Sequence, residues 1–407
     1  MHTDNSFQVL RCDTTADFLA ALPQLTGFTA ENSLFVVFFS GAHSGDAVRI
    51  DLPESDAPRA AASLLDFIVE VMRDMGADHA GCEPAIAITS SETFREHGGP
   101  PRLRLAKRIE RRVRMERMGL RELCVLAADG WASYLDPSTP PGGRPLSDIE
   151  ESALALAADT DWLDVPELSA LGKIPEADPA RADLVRAALE ELPPYPTHLP
   201  STNADSSHSP DDDDHEIPPW FEETAEIVRA LANAAALSPE MTARLIRSAA
   251  HPDRWLLLSF GILIRPDFPS ELACAMSAAP FTGVDIDCCA DTEIDGGGES
   301  ELQEHARFNI RGVLAGLSPG FTDHHRLLPV RDQLLRALSE TPEPERPALS
   351  ALSSWVWWLL GNQTVAQRQA EEALSLAPGH PLATMIEKLV SIPVRAYLQE
   401  QDQRRAA

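Results

Sequence analysis

The sequence predicts two folded parts of different class. One is an α/β N-terminal domain, an open mixed sheet with flanking helices, and the other is an all-α C-terminal domain. Over residues 7–135, apolar runs of strand length alternate with helical patterns, which is typical of an α/β sheet. Nearly all of residues 220–407 has helical periodicity instead. A Pro-, Ser- and Asp-rich stretch, residues 193–219, separates the two parts.

Short apolar runs mark the strands of the N-terminal part. The run at 34–39 is continuously apolar, which suits a strand covered on both faces. The run at 47–52 alternates and follows a polar, Gly-containing turn, so it predicts an antiparallel neighbour. The predicted strands are residues 7–12, 34–39, 47–52, 85–89 and 123–127.

Three helices are predicted between and around these strands. Asp13 or Thr14 caps the first helix, Pro23 helps to end it, and Gly27 supplies the following turn. Two longer amphipathic helices are predicted at residues 57–75 and 103–118. Ala- and Leu-rich helical pieces then continue over residues 148–192, where the predicted first domain (1–192) ends.

Residues 193–219 predict a disordered linker, because their composition cannot bury enough apolar surface to offset the entropy of ordering. Residues 220–407 form the predicted helical domain. Within it, the spacing of Gly361, Ala366, Ala373 and Pro378 is similar to the second helix of a single tetratricopeptide-like unit. One unit favours a packing role over a peptide-binding groove, since such repeats need several copies to build a concave surface. The predicted helices are residues 222–235, 238–248, 300–317, 330–338, 349–360, 364–376 and 381–390.

The charge balance excludes some classes of function. The chain has 34 Lys and Arg against 63 Asp and Glu, a net charge of −29. Such an excess repels phosphate backbones and anionic membranes, so it disfavours nucleic-acid binding. The N-terminus has no secretory pattern, no apolar run reaches the ~18 residues of a membrane span, and the cysteines are scattered. These features predict a cytoplasmic protein.

Several short segments occur in a specific order. They are Ala21-Leu22-Pro23, Gly27-Phe28, Asn32-Ser33-Leu34, Arg49-Ile50-Asp51-Leu52-Pro53, Gly119-Leu120-Arg121-Glu122, Asp129-Gly130-Trp131, Leu237-Ser238, Ala243-Arg244-Leu245, and residues 351–378. In this combination the chain resembles the actinobacterial domain-of-unknown-function family four-one-nine-two. The likeness covers most of the chain except the linker and residues 276–299. It implies an intracellular actinobacterial protein, and it implies no catalytic residue because the family has none established.

The predicted helix at 103–118 is the one strongly basic element. An apolar stripe runs along it, and cations cover the rest of its surface. These cations have two interpretations. They form a docking face, for nucleic acid or for an acidic partner, or they form a solvated face whose long side chains cover apolar surface. A solvated face is favoured, and among partners an acidic protein is favoured over DNA. The docking candidates are Arg104, Lys107, Arg108, Arg111 and Arg112.

Asp291, Glu293 and Asp295, followed by Gly296, resemble the start of a calcium loop. The loop departs from that pattern where it closes, because Leu302 stands where a bidentate glutamate is required. A plain acidic loop is therefore favoured over a metal site.

In α/β sheets, ligands bind beyond the carboxyl ends of strands. This directs attention to Ser40, Ser90, Ser91 and Asp129 as ligand-binding candidates. As a nucleophile, Ser90 requires a positioned base, for which His43 or His97 is a guess. Arg49 and Asp51 lie two apart on a predicted strand, hence on one face, where they form a surface ion pair or anchor a neighbouring loop, and a structural role is favoured.

The function predicted from these patterns is a non-enzymatic interaction or regulatory protein that binds a protein partner, with no catalytic residue and no cofactor. The alternative is a small-ligand binder or enzyme that uses a cleft at the strand ends of the α/β domain. The sequence has none of the common nucleotide-binding or hydrolase motifs.

Overall fold

The structure, a computed structural model, describes residues 12–40, 43–53, 55–78, 83–157, 165–193, 219–271 and 324–391. The chain divides into two compact units, Met1–Leu171 and Gly172–Ala407. Three predicted segments fall outside the described residues: the strand at 7–12 apart from its last residue, the linker apart from its two end residues, and the helix at 300–317.

Unit 1 contains the sheet. Its described helices and strands, in chain order, are α1 (Thr15–Thr26), β1 (Ser33–Ser40), β2 (His43–Asp51), α2 (Pro58–Asp78), β3 (Glu83–Ser90), α3 (Phe94–His97), α4 (Leu103–Met115), β4 (Glu122–Ala127), β5 (Gly130–Ser133), α5 (Ser147–Glu150) and α6 (Ala153–Ala157).

The five strands form one mixed sheet in the order β2-β1-β3-β4-β5. Strands β3 and β4 are parallel and are joined by the crossover through α3 and α4, whereas every other neighbouring pair is antiparallel. The predicted open mixed sheet with flanking helices is confirmed. The short strand β5 was not predicted, because it has only four residues after a tight turn.

Side chains alternate between two cores, one on each face of the sheet. On one face, Leu34, Val36 and Phe38 of β1 pack with the apolar sides of α2 and α4. On the other face, Phe35 and Val37 pack against α1. Strand β1 is therefore buried on both sides, as its continuous apolar run predicts.

The first helix begins as predicted and ends differently. Thr14 caps α1, and Asp17 completes a capping box by accepting from the Thr14 backbone N–H. The expectation that Pro23 ends the helix is wrong, since α1 continues to Thr26. Gly27 ends it instead: its φ of 76° is left-handed, and its N–H donates to the Pro23 carbonyl at 2.8 Å.

The prediction of helical pieces over residues 148–192 is only partly correct. Helices α5 and α6 lie there, and α7 (Pro179–Glu191) follows, but residues 165–178 form a β-bridge, turns and irregular backbone. Prolines 166 and 175 remove backbone donors, and Gly172 has a left-handed φ of 70°, so this stretch does not continue a helix.

Unit 2 is helical throughout its described residues apart from turns and connections. Besides α7, its longer helices are α8 (Pro219–Leu231), α9 (Pro239–Ala249), α10 (Pro252–Leu263), α11 (His324–Glu340), α12 (Arg346–Leu359), α13 (Gln363–Leu376) and α14 (Pro381–Val390).

Helix α12 is the centre of unit 2. All of residues 347–359 are buried, including Trp355, Trp357 and Trp358. A helix that is buried all round needs neighbours on every side, and α9, α11, α13 and α14 supply them. Helix α7 packs on α9 and α11, so it belongs to the core of unit 2.

Truncating the central strand of unit 1 should be costly. Ile88 of β3 is fully buried among apolar side chains, so Ile88→Ala should lower the free energy of unfolding by about 2–5 kcal/mol. Chemical denaturation followed by circular dichroism measures this. Met115→Ala is the control, because Met115 is 66% exposed and its truncation should change stability by under about 0.5 kcal/mol. Equal losses in the two variants would contradict the assigned burial.

Candidate functional site

The strand-end candidates Ser90 and Ser91 lie together where β3 ends, and both hydroxyls are used to hold the loop that follows. Ser90 Oγ accepts from the Glu92 backbone N–H at 3.2 Å. Asn32 Oδ1 accepts from the backbone N–H and the hydroxyl of Ser91, at 3.2 and 3.1 Å. Among the side chains that the structure describes, no histidine hydrogen bonds to either hydroxyl.

Asp129 lies at the same edge of the sheet, in the turn between β4 and β5. Its carboxylate accepts from the backbone N–H groups of Phe94 and Arg95 at 2.8 and 3.4 Å. These are the first two residues of α3, whose N–H groups have no partner inside the helix. Asp129 therefore joins the start of α3 to the end of β4.

Ser40 lies at the opposite edge of the sheet from Ser90 and Asp129. Strands β1 and β3 are antiparallel, with Phe39 opposite Glu83 at the start of β3 and Ser33 opposite Thr89 near its end. The carboxyl end of β1 is therefore separated from the carboxyl end of β3 by the length of the strand. One cleft cannot contain all the predicted ligand-binding residues. Residues 41 and 42, which follow Ser40, lie outside the described residues.

A charged network next to Ser90 was not predicted. Arg102 lies immediately before α4, and its guanidinium contacts the carboxylates of Asp56 at 3.2 Å and Glu92 at 3.0 Å. It also donates to the Pro53 carbonyl at 3.4 Å, while His97 Nε2 lies 3.0 Å from Glu92. The side chain of Arg102 is only 13% exposed. The network ties the loops after β2, β3 and α3 together.

Arg102 has an unusual backbone that marks it as a structural anchor. Its φ of 58° is left-handed, a conformation that few non-glycine residues adopt. It occupies the N-cap position, where Ser, Thr, Asp or Asn is usual, and a cation there opposes the helix dipole. A cation at an N-cap position is the one local signal in the sequence that points to this anchor.

Tyr134 closes the same corner of unit 1. Its hydroxyl donates to the Pro101 carbonyl, directly before Arg102. Burial raises the pKa of Tyr134 well above its ordinary range, with the Cys124 thiol and the Asp56 carboxylate adding to that direction. The phenol therefore stays neutral and acts as a hydrogen-bond donor.

The basic helix is confirmed as α4, although it ends at Met115 and not at 118. Its apolar stripe of Leu105, Ala106, Ile109 and Val113 is buried. The predicted docking residues divide into two groups. Arg108 donates to the Asp56 carbonyl, and Arg112 pairs with Asp66 at 3.0 Å and Glu116 at 3.4 Å.

The other three docking candidates face outward. Arg104, Lys107 and Arg111 are exposed and form no ion pair with any residue that the structure describes. Leu103 and Met115 share this side of the helix, because Leu103, Lys107, Arg111 and Met115 follow one another at four-residue spacing. They are 37% and 66% exposed. We call the five residues Leu103, Arg104, Lys107, Arg111 and Met115 the outer face of α4.

Two further predictions have different outcomes. Arg49 and Asp51 form an ion pair on β2, one of the two structural roles predicted for them, and Arg49 also donates to the Ser33 hydroxyl at 3.0 Å. Asp291, Glu293 and Asp295, the metal-site candidates, lie outside the described residues. Within the part of the chain that the structure describes, no group of three His, Cys, Asp or Glu side chains could hold a metal ion.

Comparison with known proteins identifies the family. Residues 16–253 match the model of a family described as "Domain of unknown function (DUF4192)", and the chain belongs to this family. The match includes all of the sheet and α4. No curated protein and no solved structure matches the chain. No helix among the described residues has the length and apolar character needed to cross a membrane.

Removing the guanidinium of Arg102 should destabilise unit 1. Arg102→Met keeps most of the aliphatic stem but leaves Glu92 and Asp56 without their shared cation. We expect a loss of about 2 kcal/mol in the free energy of unfolding, typical of hydrogen bonds to charged groups. Arg114→Met is the control, since its exposed pair with Glu110 should contribute under about 0.5 kcal/mol. A similar result for both variants would show that the network does not anchor the loops.

Stability should fall at alkaline pH. Burial raises the pKa of the Cys124 thiol well above the ordinary thiol value of 9.0. Burial also raises the pKa of the Tyr134 phenol well above the ordinary phenol value of 10.0. The unfolded chain loses these protons near the ordinary values while the folded chain keeps them, so unfolding becomes more favourable as pH rises above about 9. Urea midpoints measured from pH 8 to about 10 should fall less steeply for Cys124→Ala than for the wild type. Parallel profiles would rule out the thiol as a cause.

Proposed function

We propose that the protein is a non-enzymatic interaction protein of the actinobacterial cytoplasm, and that it binds an acidic protein partner through the outer face of α4. The observation that supports this best is that some cations of α4 are bound by neighbouring groups, whereas others on the same helix are exposed. Arg108 and Arg112 are bound by groups of unit 1, whereas Arg104, Lys107 and Arg111 are exposed without an ion pair among the described residues.

The position of these cations favours binding from outside. The apolar stripe of α4 packs against the sheet, so the outer face lies on the opposite side of the helix. Arg104 and Arg111 are seven residues apart, about 11 Å along the axis. Three cations within roughly one Debye length act together on an approaching carboxylate group.

An acidic protein fits this face better than nucleic acid does. The chain carries a net charge of −29, so its overall field repels a phosphate backbone before a local contact can form. Leu103 and Met115 add exposed apolar surface at the two ends of the cationic row. Arginine and methionine are both enriched at protein–protein interfaces relative to the rest of a protein surface.

The strand ends support a structural role and not catalysis. The hydroxyls of Ser90 and Ser91 and the carboxylate of Asp129 all hydrogen bond to neighbouring loop residues. A small-ligand site or an enzyme at this edge would have to break these bonds before its polar groups met a substrate. We therefore propose the α4 interface alone.

Charge reversal on the outer face tests the proposal. The probe is a labelled acidic amphipathic peptide of about 14 residues, long enough as a helix to span α4, with glutamates at four-residue spacing and a leucine at each end. Binding is measured by fluorescence anisotropy with the full chain. We expect salt-dependent binding that weakens at least about tenfold in the triple variant Arg104→Glu, Lys107→Glu, Arg111→Glu.

The matched control changes the same amount of charge on unit 2, through Arg186→Glu, Arg336→Glu and Lys388→Glu. These three residues are exposed, and their reversal should leave peptide binding near the wild-type value. Equal loss in both triple variants would mean that only net charge matters. Tighter binding of a short DNA duplex than of the peptide would overturn the choice of partner.

A further inference from the structure

Unit 2 contains a second feature, independent of α4, in which the chain binds its own backbone. Gly172, at the end of a turn, is buried against the pair of helices α12 and α13. Gln369 of α13 donates from Nε2 to the Gly172 carbonyl at 3.0 Å. The chain then continues through residues 173–178, which have no regular secondary structure and are exposed except at 174. Of residues 172–178, only Gly172 is buried.

The site accepts glycine only. A Cβ at position 172 would overlap Val365 Cγ1 and would lie 3.3 Å from two atoms of the Trp357 ring. The φ of 70° also disfavours any residue with a side chain. We call Trp357, Val365 and Gln369 the glycine floor. The glycine floor requires a residue without a side chain and a backbone carbonyl that accepts from Gln369. Both requirements concern the peptide backbone, so the floor recognises a peptide segment and not a particular side chain.

The glycine floor has unused hydrogen-bonding groups. Trp357 Nε1 and Gln369 Oε1 are buried and have no hydrogen-bond partner among the described residues. Trp357 is 1% exposed and Gln369 is 2% exposed. The two Trp357 ring atoms that a Cβ at position 172 would meet are Cε2 and Cζ2, and Cε2 is bonded to the unpartnered Nε1. One buried donor and one buried acceptor therefore remain without a partner on the two polar residues of the floor.

Buried polar atoms without partners are costly, so they indicate that a fuller ligand would be bound more favourably. A peptide that reproduces the Gly172 contact and also offers a carbonyl to Trp357 Nε1 or an N–H to Gln369 Oε1 meets that condition. Arg331 of α11 lies over the Trp357 ring, 5.1 Å from its centroid, and holds the indole in place. The floor is preorganised on three helices.

We propose that the glycine floor is a binding site for glycine-containing peptide segments, which the chain's own Gly172 occupies, and that a partner peptide of the same chemistry competes for it. The occupant in the structure defines that chemistry: a glycine with left-handed backbone whose carbonyl accepts from Gln369. Because the chain's own segment is tethered, it competes at a high effective concentration and weakens the apparent affinity for any partner peptide.

Emptying the floor tests the proposal with the full-length chain. Gly172→Val cannot occupy the site, because its side chain would collide with Val365. A labelled peptide that copies residues 168–178 should bind this variant at least about tenfold more tightly than the wild type. The same peptide with valine in place of the glycine should not bind. A folded Gly172→Val chain that fails to bind the glycine peptide overturns the proposal.

A second substitution tests whether peptide binding depends on Gln369 of the glycine floor or on α13 in general. In the Gly172→Val background, Gln369→Ala should weaken peptide binding about tenfold, through loss of the carbonyl contact. Gln367→Ala is the matched control on the same helix, and it should bind as its parent does. Equal effects of the two alanines would show that the Gln369 contact does not select the peptide.

Hydrogen exchange on the wild-type chain covers the case in which Gly172→Val does not fold. Excess unlabelled peptide should increase amide exchange at residues 172–178, because the displaced segment loses its buried contact. No change at saturating peptide overturns the proposal. A wild-type dimer that the peptide dissociates would also overturn it, since the floor would then hold the segment of a second copy.

Discussion

Strand β3 imposes the constraint on which the rest of unit 1 depends. It is buried on both faces, and it pairs antiparallel with β1 and parallel with β4. A parallel neighbour requires a crossover, and α3 and α4 provide it. The crossover lays the apolar stripe of α4 on the sheet, so the basic residues of α4 must face outward or sideways. The antiparallel neighbour places the end of β1 at the far edge, which separates Ser40 from Ser90.

Much of this fold follows from local pattern. The apolar runs at residues 34–39, 85–89 and 123–127 coincide with β1, β3 and β4, because burial of a strand is recorded in its own side chains. Strand direction is not recorded there. Whether β1 runs with or against β3 depends on the connection between them, so the alignment of strand ends could not be predicted. The family resemblance was correct for a different reason, namely the order of several weak segments.

The residues that were missed act through distant partners. Arg102 is held by Asp56 and by Glu92, which come from two different loops, and only the folded sheet brings them together. Gly172 is required by Val365 and Trp357, nearly two hundred positions later in the chain. A requirement that comes from a distant partner leaves no periodic pattern in the sequence around the residue concerned. What sequence does offer is a residue in an unexpected place, such as a cation at a helix N-cap or a glycine after an apolar turn.

The backbone around α4 connects structure to the proposed function. The helix lies between two arginines with left-handed φ, Arg102 at 58° and Arg117 at 59°. Conformations of this kind persist only where surrounding contacts hold them, and the Asp56 and Glu92 carboxylates hold the first. The start of α4 is therefore fixed to the loops after β2 and β3. A surface helix whose start is held in this way keeps the backbone positions of Arg104, Lys107 and Arg111 at a fixed spacing. Less backbone entropy is then lost when a partner binds, so cations on such a helix achieve more affinity than the same charges on a flexible segment.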